Sequence, residues 1–186
     1  MNLDHNAGGR VRPEAAAAAI AWLQSDAANP SSVHRAGRRA RAAVEEARDA
    51  VAALVGAQPA EVVFTSGGTE ANNLAVLGAA RAGAHVVSSA IEHASVLRAL
   101  DAARTAGSEV TLLVPAHDGR ITADQVEAAL RDDTRLVSLG WANGEIGTVQ
   151  PLGDIARRVR AYAAAAPILV HAAAVQAAGL CAIDLA

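Results

Sequence analysis

The sequence predicts an α/β protein with a mostly parallel sheet and helices on both faces. Short apolar runs of strand length, such as Val110 to Val114 and Leu136 to Leu139, alternate along the chain with longer stretches of helical character. Such alternation favours parallel pairing, because each crossover lays a helix on one face of the sheet. Composition agrees: 52% of the 186 residues are hydrophobic but only 2% are aromatic, so Ala, Val, Leu and Ile must fill the core. Ala is the best helix former, so the runs Ala15 to Ala19 and Ala163 to Ala166 read as helix rather than disordered low-complexity sequence.

Each element has its own local signal. Pro13 to Gln24 reads as a helix with Pro near its start. After the loop from Ala27 to Ser32, Ser31 or Ser32 is placed to cap a long helix through Arg48 to about Val55, with Gly56 as its stop. Glu61–Val62–Val63–Phe64 reads as a short strand, and Ser66–Gly67–Gly68–Thr69 turns into a helix through Leu77. His85 to Ser88 reads as a strand, Ala94 to Ala106 as a helix ended by Gly107, and Val110 to Val114 as a strand. Thr122–Ala123–Asp124–Gln125 has capping-box spacing and opens a helix to Arg131. Leu136 to Leu139 is a strand, Pro151 to Ala164 a helix and Ile168 to Val170 a strand. No linker or internal repeat divides the chain, and Cys181 to Ala186 open an element that stops short, so an interrupted domain is expected.

Several function classes are excluded early. A net charge of −3 gives no electrostatic reason to expect nucleic acid or an anionic membrane as partner. No apolar run reaches the roughly 20 residues needed to span a bilayer. The opening MNLDHNAGGRVRPE lacks the basic-then-apolar order of a signal peptide, so a cytoplasmic protein is expected. The single Cys181 excludes an internal disulfide framework and a multi-cysteine metal site. His5, His34, His93 and His171 match no compact metal motif, so no metal is expected. All 16 basic residues are Arg, so chemistry that needs a Schiff-base lysine cannot come from these residues.

Phe64 to Glu70 reads as strand, glycine turn, helix start. Backbone N–H groups and the helix dipole favour an anion at such a place, and two glycines let a phosphate approach closely. The plainer reading is a tight turn with Thr69 as a cap. His93, in Ile91–Glu92–His93–Ala94–Ser95–Val96, follows a strand, where ligands sit in open α/β sheets. There it either stacks on a flat ring and moves a proton, or is a surface or capping histidine. The same two readings hold for His171 and for Gln176 beyond it. His34 reads as a solvated loop residue and Glu145 as a polar residue after a strand.

Taken together, Leu3–Asp4–His5–Asn6–Ala7, Asn29 to His34, Phe64 to Glu70 with Asn72–Asn73–Leu74, Glu92–His93, Asn143 to Pro151, and His171 to Gln176 resemble NifS-like cysteine desulfurases in order and approximate spacing. These belong to the class V aminotransferase group of fold-type I pyridoxal-phosphate enzymes. The resemblance implies a partial large domain over residues 1–186, with the C-terminal small domain absent. It implies that Gly68 and Thr69 hold the phosphate of pyridoxal 5′-phosphate. His93 would stack on the ring and assist proton transfer, and Gln176 would hydrogen-bond the phenolic oxygen. It further implies L-cysteine as substrate, a sulfur-acceptor protein as partner, and a homodimer or a complementing C-terminal chain.

The sequence departs from that family at four places. Ala173 stands where the family carries an Asp that pairs with the pyridinium nitrogen. Gly144 replaces the second of two asparagines, and Gly8–Gly9 replace two threonines. The family's Schiff-base Lys and persulfide Cys fall beyond this chain, and Cys181 does not match the latter. Three readings therefore compete: one piece of a desulfurase completed by another chain, a non-catalytic binding protein derived from one, and a truncated gene product.

Overall fold

Residues 8–26, 28–162 and 167–183 are described by the computed structural model. The helices there are α1 (Pro13–Leu23), α2 (Arg35–Val55), α3 (Gly68–Ala79), α4 (Ala94–Thr105), α5 (Ala123–Ala129) and α6 (Leu152–Tyr162). The strands are β1 (His85–Ser89), β2 (Glu109–Leu113), β3 (Thr134–Gly140) and β4 (Leu169–Ala173). The chain divides into two units, residues 65–181 and residues 1–64 with 182–186. The Leu3 to Ala7 motif, the Ala163 to Ala166 run and the last three residues lie outside the described set.

In the larger unit the four strands form one parallel sheet in the order β2-β1-β3-β4. Successive side chains of a strand face opposite sides, and β1 shows the consequence. Val86 packs with Val76, Val96, Ala99, Leu100 and Leu136 under α3 and α4. Val87 packs with Ile121, Val126, Val137, Leu139 and Ile155 under α5 and α6. Both faces are covered, so all five residues of β1 are buried. Its polar residues, His85, Ser88 and Ser89, are therefore buried with hydrogen-bond partners rather than turned to solvent. The capping box at Thr122 is formed: its hydroxyl accepts from Gln125 N at 3.1 Å, and Gln125 Oε1 accepts from Thr122 N at 2.9 Å.

The topology also fixes where a ligand can sit. From β1 the chain steps outward to β2, then returns past β1 to β3. The strand order reverses between β1 and β3, and the crevice beyond their carboxyl ends is the expected site in an open parallel sheet.

The smaller unit holds α1 and α2. Gly56 ends α2 in the left-handed conformation (φ 70°), as its position after Val55 predicts. Two expectations fail here. Neither Ser31 nor Ser32 caps α2; Asn29 to Ser32 close a turn of their own, with Asn29 Oδ1 accepting from Ser31 N at 2.9 Å. The cap is His34, whose Nδ1 accepts from Gly37 N at 3.3 Å. It is exposed, as a loop histidine should be, but it has a structural task. The predicted strand from Glu61 to Phe64 is also absent. Pro59–Glu61 form a 3-10 turn, and the following residues join no ladder. Arg48 instead donates to the Val62 carbonyl at 2.5 Å and lies 5.0 Å over the Phe64 ring. Side chain and cation thus take the place of a neighbouring strand.

Candidate functional site

Four segments meet at the carboxyl end of the sheet: the start of α3, the loop after β1, the loop after β3 and the loop after β4. At the start of α3, Gly67 is the N-cap with φ 157°, a conformation that residues with side chains avoid, and no side chain caps it. The first N–H groups of the helix are therefore available to an anion. Glu70 folds back outside this turn, accepting from Ser66 N and Ser66 Oγ at 2.6 Å each. Those bonds favour its ionised form and hold its carboxyl below the usual range.

The loop after β1 carries His93, the N-cap of α4. Its Nδ1 accepts from Ser95 N at 3.1 Å and lies 2.7 Å from Ser95 Oγ. A backbone N–H can only donate, so Nδ1 must keep its lone pair. The neutral ring then carries its proton on Nε2, and this exposed edge offers a donor. Ser95 Oγ in turn accepts from Asn72 Nδ2 of α3 at 2.8 Å, which ties the histidine to the helix that begins at Gly68.

The loop after β3 is a tight turn built on Asn143. Its Oδ1 accepts from Glu145 N at 2.9 Å and Ile146 N at 3.1 Å, while its Nδ2 donates to Ile91 O at 3.2 Å. Gly147, at φ 74°, closes the turn, donating to Asn143 O at 3.0 Å. Asn143 therefore joins the β3 loop to the segment that carries His93. The loop after β4 presents Val175 and Gln176. A Cβ on Gly68 would lie 3.2 Å from a Val175 methyl, and a Cβ on Gly144 would lie 3.2 Å from the Gln176 side chain. Gln176 thus leans over the position where a larger residue 144 would stand.

These contacts close a ring: Gly68 to Val175 and Gln176, on to Gly144 and Asn143, to Ile91 and His93, and through Ser95 and Asn72 back to α3. The sequence-predicted residues Gly68, His93 and Gln176 all lie on it. Thr69 is the next residue of α3 and is exposed. His171 lies one row deeper in the sheet, with Nδ1 2.9 Å from Ser138 Oγ, and burial pushes its pKa down. Glu145 is an exposed turn residue. Asn72, Ser95, Glu92 and Asn143 all stand in the segments singled out from the sequence, but their contacts were not foreseen. The first three are buried polar residues, and the capping position of Ser95 two residues after His93 was a usable signal. Among the described residues no three His, Cys, Asp or Glu converge as a metal site would require. No helix there is long and apolar enough to cross a membrane.

With fold and site in view, the class is defined. The chain belongs to the class V aminotransferase family, whose profile, described as Aminotransferase class-V, matches residues 1–186. Pyridoxal 5′-phosphate is the cofactor of this family. Within it, curated relatives of this chain are named cysteine desulfurases. It is 41% identical over 187 residues to the putative cysteine desulfurase IscS 1 of Bacillus subtilis, a match covering 98% of this chain and 48% of that protein. It is 45% identical over 190 residues to cysteine desulfurase IscS of Tolumonas auensis, covering 98% and 46%. Among solved structures, SspA in complex with cysteine superposes with a TM-score of 0.84 at 37% identity, over 91% of this chain and 49% of that one. The chain spans about half the length of the curated relatives it matches.

Proposed function

We propose that this chain is the cofactor-cradling part of a pyridoxal-phosphate-dependent cysteine desulfurase-like protein, and that it does not turn over cysteine by itself. The observation that carries this is the closed ring of contacts joining the uncapped start of α3 to His93 and Gln176. In this reading residues 1–186 are part of a large domain, and the chain works as a homodimer or with a complementing C-terminal chain. L-cysteine is the substrate, a protein accepts the sulfur, and the setting is cytoplasmic.

The residues fit the cofactor at two of its three ends. The N–H groups after Gly67, with Gly68 and Thr69, suit the phosphate. His93 offers a flat ring as a stacking partner, and Gln176 offers an amide to the phenolic oxygen. When bound, the cofactor supplies the electron sink for cleavage next to the amino acid's nitrogen. The fit fails at the ring nitrogen. The last residue of β4 is Ala173, whose methyl packs against the α3–α4 core, so no acid stands there. Together with the absence of Lys from the sequence, this favours a second reading: a cofactor- or partner-binding derivative without turnover.

In the site, His93 keeps its Nε2–H toward a ligand as long as Ser95 N occupies Nδ1. To take a proton it must give up the cap, so its ready role is stacking and hydrogen-bond donation. A borohydride-reduction experiment followed by mass spectrometry tests the central claim. With the N-terminus blocked, the chain incubated with pyridoxal phosphate should gain no stoichiometric adduct. One adduct per chain would overturn it. Binding itself is expected to be weak, with a Kd in or above roughly 0.1–1 mM. Calorimetry should show that Gly68→Val combined with Thr69→Ala abolishes it. His93→Ala should weaken pyridoxal phosphate but barely affect inorganic phosphate; equal binding by all three proteins would place the ligand elsewhere.

A further inference from the structure

Glu92 is a buried acid that none of the site chemistry above uses. Its Oε1 accepts from Ser89 Oγ at 2.5 Å, which ties it back to the last residue of β1. Its Oε2 is buried and, among the described residues, has no well-aligned hydrogen-bond partner. It rests against the carboxyl end of β3: a Cβ on Gly140 would lie 3.1 Å from this oxygen. Gly140 is not in a left-handed conformation, so nothing in its backbone demands glycine. What its missing side chain leaves is room for the carboxyl. Burial pushes the Glu92 pKa up, opposed by the Ser89 hydroxyl and the Gly140 backbone.

We propose that Glu92 is a positioning residue: its carboxyl, seated between Ser89 and Gly140, latches the loop that carries His93 onto the end of β3. It is not catalytic, because its buried oxygens cannot touch a ligand in the open crevice. It acts through its neighbour. Ser89, Glu92 and Gly140 fix the chain on one side of His93, and Ser95 with Asn72 fixes it on the other. With the backbone pinned on both sides, the imidazole stays capped through Nδ1 and presents Nε2–H. The proposal deepens the reading of His93 as a site residue and rests on it.

The test is the side-chain ¹⁵N NMR spectrum of the histidines in the full protein, with His93 assigned from its loss in His93→Gln. Wild type should show His93 as a single Nε2–H tautomer. Glu92→Gln keeps shape and acceptor, and should retain that signature. Glu92→Ala should lose it, giving the mixed tautomers of a free imidazole. Gly140→Ala should shift it in the same direction to a smaller extent, because its Cβ would stand 3.1 Å from Oε2 and crowd the seated carboxyl. Combined with Glu92→Ala, it should add no further change, because the seat is already empty. The His85 resonances, from the opposite end of β1, report whether each variant is folded. Should Glu92→Ala fail that control, Gly140→Ala decides alone. An unchanged His93 tautomer in folded Gly140→Ala or Glu92→Ala would overturn the latch. Pyridoxal phosphate binding by wild type is measured separately. No binding there sinks the cofactor reading and leaves the latch to be judged by the spectra.

Discussion

The two ends of β1 hold ionisable groups under opposite regimes. At the amino end His85 is fully buried, and both ring nitrogens are partnered, Nδ1 with Thr134 Oγ1 at 2.8 Å and Nε2 with Thr111 Oγ1 at 2.9 Å. Just past the carboxyl end, Glu92 is buried with one oxygen lacking a well-aligned partner, and His93 is exposed. A buried polar group with every bond made belongs to the structure, and it makes the pairing of three strands specific. A buried group left incomplete beside exposed donors marks the end where the fold tolerates cost. The difference shows why ligand chemistry belongs at the carboxyl end of this sheet, although both ends carry a histidine.

The largest effect should come from breaking the complete end. His85→Ala leaves a cavity between β1, β2 and β3 and takes a partner from the Thr111 and Thr134 hydroxyls, of which Thr134 keeps its bond from Arg131 N, and should cost about 3 kcal/mol of stability. His93→Ala removes one exposed helix cap and should cost only about 1 kcal/mol. Urea unfolding of both variants checks the contrast. Equal losses would mean that the carboxyl end is as structural as the amino end.

What the sequence made legible follows the same division. Alternation and capping residues revealed the central strands and α5, because strand-length segments stand between helical ones and Thr122 and Gln125 close their box locally. The strand at Glu61 to Phe64 was misread because an apolar run does not say whether a partner exists. The cap of α2 was misread because Ser31 and Ser32 are the usual capping types and stand just ahead of His34, and only the turn at Asn29 draws them away from the helix. In the candidate site, local pattern and the family resemblance singled out Gly68, His93 and Gln176, and the fold places all three on one ring of contacts. The roles of Asn72, Ser95 and Glu92 were not foreseen, because they depend on contacts 23 residues apart, as for Asn72 and Ser95, or on the empty face of Gly140.

An intermediate effect sharpens the comparison from the other side. Ser95→Ala keeps the backbone N–H that caps through His93 but removes the hydroxyl between His93 and Asn72. It should lower stability by about 1 kcal/mol, since Asn72 Nδ2 is left buried without that acceptor. It should also shift the His93 side-chain NMR signals while leaving those of His85 in place. A shift confined to His85 would mean that the two ends are coupled through the strand.

The smallest effect is also the most discriminating, because the two ends should respond to pH with opposite sign. Burial, with Arg131 nearby, lowers the His85 pKa from its ordinary 6.5. Below about pH 6.5 the unfolded chain therefore binds a proton that the folded chain refuses, and stability falls with acid until the lowered folded pKa is passed. Above that window His85 contributes no slope. Glu92 has its pKa raised from 4.5, so the folded chain holds a proton that the unfolded chain has lost. Its contribution is fully present below about pH 4.5 and is lost as pH rises through the raised folded pKa. Urea midpoints over about pH 4 to 8 should separate the two in variants that still fold. His85→Gln should flatten the loss of stability on acidification near pH 6, apart from the share due to His171, which is lowered by burial in the same direction. Glu92→Gln should instead make the acid loss steeper, because it removes the opposing term. If both variants change the slope in the same direction, the carboxyl of Glu92 is ionised in the folded chain and the contrast between the two ends of β1 does not hold.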